Sequence, residues 1–226
     1  MLITLFYIFI VIVAVQLFYY TIVFSKFSFA KNQKITPKRI PISVIVCAKN
    51  EEENVVKFIP LLAEQNYPDF EIILIDDASS DATLEIFEEF EKQYSNVKLV
   101  KVVNNEAFWG NKKFALTLGI KAATKDYLLF TDADCYPSSD KWLKEMSSGF
   151  STSKEIVLGY GAYDKKPGFL NRLIRFDTFI IAVQYLSQAI KHKPFMGIGR
   201  NLAYTKELFF KEKAEAWSVD KVYSLQ

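Results

Sequence analysis

The alternation of strand-like and helix-like segments after residue 40 most constrains how this chain can fold. Compact apolar runs such as "PISVIVCA" (41–48) and "FEIILIDD" (70–77) alternate with segments whose apolar residues have helical spacing. The strand-like runs show little polar alternation, which is typical of strands buried on both faces. We therefore predict an α/β fold with a mostly parallel, Rossmann-like sheet and helices on both faces.

An uncharged apolar segment precedes this pattern, from Leu2 to Phe24. A helix rises about 1.5 Å per residue, so a segment of this length crosses the ~30 Å hydrocarbon core of a bilayer. A secretory signal peptide is the competing interpretation, but the run is long, no basic residue precedes it and no small-x-small cleavage site ends it. We expect residues 1–25 to form one transmembrane helix.

Positive charge is concentrated just after this segment. By the positive-inside rule, this asymmetry places the rest of a single-pass chain on the cytoplasmic side of the membrane. We expect residues 26–40 to be a basic linker and residues 41–226 to form the folded domain. The formal net charge of +2 disfavours nucleic-acid binding. The basic residues of the linker are Lys26, Lys31, Lys34, Lys38 and Arg39.

Polar clusters follow three of the predicted strands, at residues 49–51, 76–80 and 132–134. In parallel α/β sheets, ligands bind at the carboxyl ends of the strands. Carboxylates gathered there raise one another's pKa, so they need a cation or strong hydrogen-bond donors. Mg²⁺ or Mn²⁺ would suit them because these ions prefer oxygen ligands. An Asp-rich turn without a ligand is the alternative interpretation.

The first predicted helix follows residue 49. Asn50 with Glu53 has the pattern of a capping box, so Asn50 and Glu51 could serve only to cap this helix. We expect Pro60 to interrupt or restart the helix, because proline has no backbone N–H to donate.

Four segments of the chain carry a resemblance: "PISVIVCAKNEEENV" (41–55), "FEIILIDDASSDAT" (70–83), "GNKKFALTLGIKAA" (110–123) and "YLLFTDADCYP" (127–137). In this order they resemble the nucleotide-sugar-binding half of an inverting family-2 glycosyltransferase, which has the GT-A fold. A fifth segment, "GIGRNLAYTKELF" (197–209), resembles the acceptor-side segment of that family. The resemblance covers nearly everything after the linker and implies a GT-A-type sheet.

The resemblance implies nucleotide-binding roles for residues at the first two strand ends. Ala48, Asn50 and Glu51 match the segment that lies along the base and ribose. Asp77 matches the aspartate that hydrogen-bonds the base. Lys113 matches a basic position near the nucleotide, although Lys112 beside it leaves the choice between the two lysines open.

The resemblance also implies a metal site and an acceptor side. Asp132 and Asp134 match the Asp-x-Asp motif of the family, in which the second aspartate contacts the metal on the diphosphate and the first lies closer to the ribose. The implied cofactor is Mg²⁺ or Mn²⁺. On the acceptor side, Gly199, Arg200 and Asn201 are the matching residues, and a glycine-containing turn is the alternative interpretation for them.

The function implied is metal-assisted transfer of a sugar, of hexosyltransferase type, to a saccharide or lipid acceptor in cell-envelope glycan synthesis. A UDP-sugar is the favoured donor. The acidic motif that usually supplies the general base is absent from the last residues, where Asp220 is the sole carboxylate. We therefore expect the base to lie beyond Gln226, the chain to be truncated and its turnover to be poor. The alternative is a membrane-anchored, catalytically incompetent nucleotide-sugar-binding or scaffold protein.

Two other enzyme classes fit the sequence less well. A nucleotidyltransferase would carry a Gly-rich, basic loop after the first strand, where "CAKNEEEN" (47–54) is acidic. A Rossmann oxidoreductase would carry G-x-G-x-x-G at that place, and the chain does not.

A long aromatic-rich helical pattern covers residues 168–193. It is consistent with a basic amphipathic helix on the membrane surface and equally with a core helix over the sheet. His192, the single histidine, has no metal-ligand partners near it in the sequence.

Overall fold

The structure is a computed structural model that describes residues 2–29, 39–103 and 112–211. By packing, the chain divides into two units. One unit comprises residues 1–34 and 160–198, and the other comprises residues 35–159 and 199–226. The linker and domain limits proposed from the sequence stay predictions.

Among the described helices, α1 (Leu2–Phe18) and α7 (Phe169–Ile190) are the longest. Tyr19–Phe24 continues the first helix with π-helical hydrogen bonding, and residues 206–211 are helical after the last strand. In chain order the helices are α1 (Leu2–Phe18), α2 (Ser25–Ser28), α3 (Glu52–Ala63), α4 (Thr83–Gln93), α5 (Lys112–Ala122), α6 (Trp142–Ser148) and α7 (Phe169–Ile190).

A six-stranded sheet forms the centre of the second unit, in the order β3-β2-β1-β4-β6-β5. Strands β1 to β4 are parallel to one another, β6 is antiparallel to β4, and β5 is antiparallel to β6. The predicted mostly parallel sheet is confirmed. The strands are β1 (Ile42–Ala48), β2 (Phe70–Asp76), β3 (Val97–Lys101), β4 (Tyr127–Asp132), β5 (Ile156–Leu158) and β6 (Leu202–Thr205).

Both faces of this sheet are covered by helices. Along β1, every side chain is buried, and successive residues point to opposite faces. Val44 and Val46 belong to a core cluster with buried residues of α3, α4 and α6. Ile45 and Cys47 belong to a separate cluster with Ala115 and other residues of α5. Burial on both faces explains why the strands lack polar alternation.

Pro60 does not break the first helix of this unit, and the prediction that it would is wrong. Helix α3 continues from Glu52 to Ala63 with Pro60 inside it. The missing N–H deprives the carbonyl of Val56 of its helical partner. Val56 is 53% exposed, so water can satisfy that carbonyl.

The first unit contains one helical segment, Leu2–Phe24, that is long and apolar enough to cross a membrane. None of the α1 side chains is buried in the chain itself. The Tyr19–Phe24 segment and α2 both pack against α7. Lys31, Lys34 and Lys38 lie outside the described residues, and the cytoplasmic orientation stays a prediction.

Candidate functional site

Three strand ends meet at one edge of the sheet, as the sequence predicts. In the parallel register Ala48 of β1 lies beside Asp76 of β2, and Cys47 lies beside Asp132 of β4. The loops that follow these strands enclose a cavity of about 270 Å³. Its lining residues are Cys47, Ala48, Lys49, Glu51, Asp77, Lys112, Asp132, Ala133 and Asp134.

Asn50 connects the loop after β1 to the loop after β2 through hydrogen bonds. Its side-chain Oδ1 accepts hydrogen bonds from the backbone N–H of Ser80 at 2.8 Å and from the Ser80 hydroxyl at 3.2 Å. The backbone N–H of Asn50 donates to the hydroxyl of Ser79 at 3.0 Å. The side-chain oxygen of Asn50 is therefore engaged by the neighbouring loop, and Asn50 is absent from the cavity lining.

The first turn of α3 is capped from the same neighbouring loop. The backbone N–H of Glu51 donates to Thr83 Oγ1 at 2.8 Å, and that of Glu52 donates to Asp81 Oδ2 at 3.2 Å. Glu51 occupies the N-cap position without a side-chain capping bond. The capping box predicted for Asn50 and Glu53 is therefore wrong, because acceptors from a distant part of the chain take its place.

Two residues other than glycine have left-handed backbone conformations in the loops after these strands. They are Asn50, with φ of 56°, and Ala78, with φ of 53°. Such a conformation costs alanine roughly 1–2 kcal/mol. Ala78 directly follows Asp77, whose N–H donates to the carbonyl of Ala48 at 2.9 Å. Strained backbone conformations of this kind are frequent at functional sites. Here the strained residue Ala78 is next to Asp77, which lines the cavity.

Lys112 is the lysine that the structure brings to the cavity, whereas Lys113 is not among the lining residues. The Lys112 Nζ donates to Asp132 Oδ1 at 2.9 Å, with both side chains more than a third exposed. Partial burial by itself lowers the pKa of Lys112, but the hydrogen bond and charge of Asp132 outweigh it and raise the pKa above its ordinary value. Lys112 therefore carries a full positive charge at neutral pH.

The end of β4 offers a group of metal-ligand atoms. One ligand atom each from Asp132, Asp134 and Cys135 lies within 4.8 Å of the other two. The two carboxylates fit a hard divalent ion that completes its shell with water or phosphate oxygens. The Cys135 thiol donates to Asp134 Oδ1 at 3.3 Å. Burial, followed by the charge of Asp134, raises the pKa of Cys135 to about 12, so the thiol stays protonated and is the weaker ligand.

Cys47 lines the cavity, and it was not among the residues predicted for the site. Burial, followed by the charge of Asp77, raises the pKa of the Cys47 thiol to about 12. The thiol is therefore neutral at physiological pH. Its position one residue before Ala48, at the end of a buried strand, is the signal that could have identified it.

The predicted acceptor-side residues, Gly199–Asn201, form a 3-10 turn just before β6. Asn201 holds this turn in place, since its Oδ1 accepts from Trp142 Nε1 at 3.1 Å and its carbonyl accepts from the Gly159 N–H at 2.8 Å. The positive charge of Arg200 acts on Cys135, next to the aspartate pair. The space beside Gly199 is open, since a Cβ added there would meet no atom within 4 Å in the described part of the chain.

The base predicted beyond Gln226 and the carboxylate of Asp220 lie outside the described residues.

The sequence of the chain is similar to those of known glycosyltransferases. The family model described as Glycosyl transferase family 2 matches residues 43–211. The chain is 27% identical to glycosyltransferase AglE of Haloferax volcanii, over 76% of this chain and 52% of AglE. It is 31% identical to a poly(ribitol-phosphate) beta-glucosyltransferase of Bacillus spizizenii, over 52% of this chain and 18% of that protein.

A solved structure shares the fold. It is that of the mannosyltransferase PcManGT from Pyrobaculum calidifontis in complex with GDP-Man and Mn²⁺. The TM-score is 0.65 at 21% identity, over 87% of this chain and 53% of the other. The predicted GT-A-type architecture is thereby confirmed. The chain spans about half or less of the length of the proteins with which it is compared here.

Proposed function

Because the chain belongs to glycosyltransferase family 2, we propose that it transfers a sugar from a nucleoside diphosphate sugar to a saccharide or lipid acceptor. One observation carries the proposal: the ends of β2 and β4 and the start of α5 bring Asp77, Lys112, Asp132 and Asp134 to a single cavity. These residues offer what a metal-bound nucleoside diphosphate needs, namely acceptors for the base and ribose, a cation and carboxylate ligands.

The nucleoside would lie against the wall formed by β1 and β2. Asp77 would supply an acceptor for base N–H groups. The hydrogen bond from the Ser80 N–H to Asn50 Oδ1 keeps the two loops at a fixed spacing. Glu51 borders the same cavity, and its Oε2 accepts from Asn54 Nδ2 at 2.7 Å. We infer that Asn50 acts through the loops, as a positioning residue, and that Asp77 touches the nucleotide.

The diphosphate would lie between Lys112 and the aspartate pair. Asp134 and Asp132 would hold Mg²⁺ or Mn²⁺, which stabilises negative charge on the departing diphosphate. Lys112 adds a second positive charge beside Asp132. The Mn²⁺ in the PcManGT complex supports a divalent ion here. UDP is our favoured nucleotide, and the GDP-Man of that complex makes GDP the alternative to test.

The acceptor would belong to a cell-envelope glycan. Support comes from the similar Bacillus protein, whose name specifies poly(ribitol-phosphate) as the glucosylated polymer, and from the apolar helix Leu2–Phe24, which is suited to hold the protein at a membrane. Arg200 and the 3-10 turn at Gly199–Asn201 form our proposed acceptor side.

Transfer assays test this proposal. Membranes containing the full chain are incubated with Mn²⁺, UDP- or GDP-linked radiolabelled sugars, and saccharide or lipid acceptors. Any label that enters glycan or lipid, even at the poor turnover expected from the sequence, should be lost in Asp134→Asn. It should be unchanged in Asp140→Asn, a matched change at an exposed aspartate outside the cavity. Donor binding without transfer to any acceptor would instead favour a nucleotide-sugar-binding scaffold.

A further inference from the structure

The first half of α7 exposes large apolar side chains that the other described residues leave uncovered. Exposure reaches 79% for Phe169, 68% for Leu170 and 62% for Phe176. Clustered exposed apolar side chains mark a site of interaction with a membrane or a partner, and here the exposed Arg172 and Asp177 lie among them. The other large apolar residues exposed in this half are Leu173, Ile174 and Phe179.

These side chains cover a wide arc of the helix. With 3.6 residues per turn, Phe169, Leu173 and Phe176 fall near one line, and Leu170 and Phe179 lie on either side of it. A protein groove usually receives a narrow stripe of a helix. A lipid phase, in contrast, can surround a wide apolar arc.

Positive charges accompany this apolar surface. Lys165, Lys166 and Arg172 are exposed, and Arg175 is half-buried. Basic residues beside exposed aromatic and aliphatic side chains are typical of helices that lie in an anionic membrane surface. Asp164 and Asp177 are the acidic residues in this stretch, so the balance is positive.

Helix α7 packs beside the end of the apolar segment Leu2–Phe24. It contacts the Tyr19–Phe24 segment and α2, which are the last turns of the apolar span and the first residues after it. Val23 is 3% exposed, in contrast to the uncovered side chains of α1. If Leu2–Phe24 crosses the bilayer, α7 lies where the hydrocarbon ends and the headgroups begin.

We propose that α7 is an interfacial helix, with its N-terminal half embedded in the headgroup region of an anionic bilayer. Phe169, Leu170 and Phe176 enter the acyl boundary, while Lys166 and Arg172 contact lipid phosphates. The proposal depends on Leu2–Phe24 spanning the bilayer and does not depend on sugar transfer.

Depth-dependent quenching tests this placement. An environment-sensitive fluorophore is attached at Phe176→Cys in a Cys135→Ser background, where the remaining Cys47 is buried. The full chain is reconstituted in phosphatidylcholine vesicles containing 30% phosphatidylglycerol and doxyl-labelled lipid. We expect at least a twofold loss of fluorescence at residue 176 and almost none at Glu89→Cys, an exposed position on α4. Equal quenching at the two positions would overturn the proposal.

A second label at Leu173→Cys controls for a local folding defect at residue 176, and it should be quenched as well.

Arg172→Gln with Arg175→Gln should reduce quenching in anionic vesicles, whereas Lys57→Gln with Lys92→Gln, on α3 and α4, should leave it unchanged. Asp134→Asn should not alter quenching, which separates this proposal from the proposed transferase activity. Shielding of the label in native membranes but not in lipid vesicles would assign the surface to a protein partner and overturn the proposal.

Discussion

Lys112, the first residue of α5, donates a hydrogen bond to Asp132, the last residue of β4, across 2.9 Å. The pair joins a cation and a carboxylate in one cavity wall. Since both side chains are partly exposed, the pair itself adds little to stability. In the proposed site, Asp132 would turn to the metal and Lys112 would then be available to a phosphate oxygen.

Replacing Lys112 should weaken binding of a nucleoside diphosphate. Lys112→Met removes a charge-assisted hydrogen bond, which corresponds to a loss of about tenfold in affinity. Titration calorimetry with UDP and Mn²⁺ measures the change. The matched control is Lys113→Met, on the same helix but outside the cavity lining, and it should bind within about twofold of the unaltered chain. A larger loss with Lys113→Met than with Lys112→Met would reverse the assignment.

Glycine at position 78 should stabilise the protein. Ala78 has φ of 53°, so Ala78→Gly removes backbone strain, and part of that gain is lost to the greater freedom of the unfolded chain. We expect the free energy of unfolding to rise by about 0.5–1 kcal/mol in urea titrations. Ala63→Gly, at the last residue of α3, relieves no left-handed strain and should not raise it. A loss of stability with Ala78→Gly would contradict the strain assigned to this loop.

Glu71 should contribute to stability from the start of β2, away from the cavity. Its Oε1 accepts from the Ser43 hydroxyl at 2.6 Å and from the Thr124 N–H at 2.6 Å. Glu71→Ala leaves these donors without an acceptor and should lower the free energy of unfolding by about 1–3 kcal/mol. Glu89→Ala, at an exposed site on α4, should change it by less than about 0.5 kcal/mol. Equal effects would argue against this role.

The contribution of Glu71 should depend on pH. Burial tends to raise the pKa of Glu71, but the hydrogen bonds from Ser43, Thr124 and Lys125 outweigh it and hold the pKa below 4.5. As the pH falls, the unfolded chain takes up a proton at this residue before the folded chain does. The stabilisation is therefore complete above about pH 4.5 and is lost as the pH falls through the lower, folded-state pKa. The stability gap between the unaltered chain and Glu71→Gln should narrow below pH 4.5.

The mostly parallel sheet and the meeting of its strand ends could be predicted from the sequence because both follow from local patterns. Apolar runs without polar alternation indicate buried parallel strands, and parallel strands place their following loops at one edge. Asp77, Asp132 and Asp134 therefore reached the cavity as expected.

Contacts between distant segments could not be predicted in this way. Asn50 has a capping pattern, yet Ser80 from another loop takes its side chain. The choice between Lys112 and Lys113 depends on where α5 begins relative to β4. Pro60 stays inside α3 because the affected turn faces solvent, which only the packing reveals.

The central claim is that the cavity binds a metal-bound nucleoside diphosphate through the aspartate pair. Calorimetric titration of the full chain with UDP and GDP, in Mn²⁺ and in EDTA, tests it most directly. We predict saturable binding of at least one nucleotide that is lost in EDTA and in Asp134→Asn, and that persists in Asp140→Asn. Absence of binding by either nucleotide in Mn²⁺, or unchanged binding by Asp134→Asn, would contradict the claim.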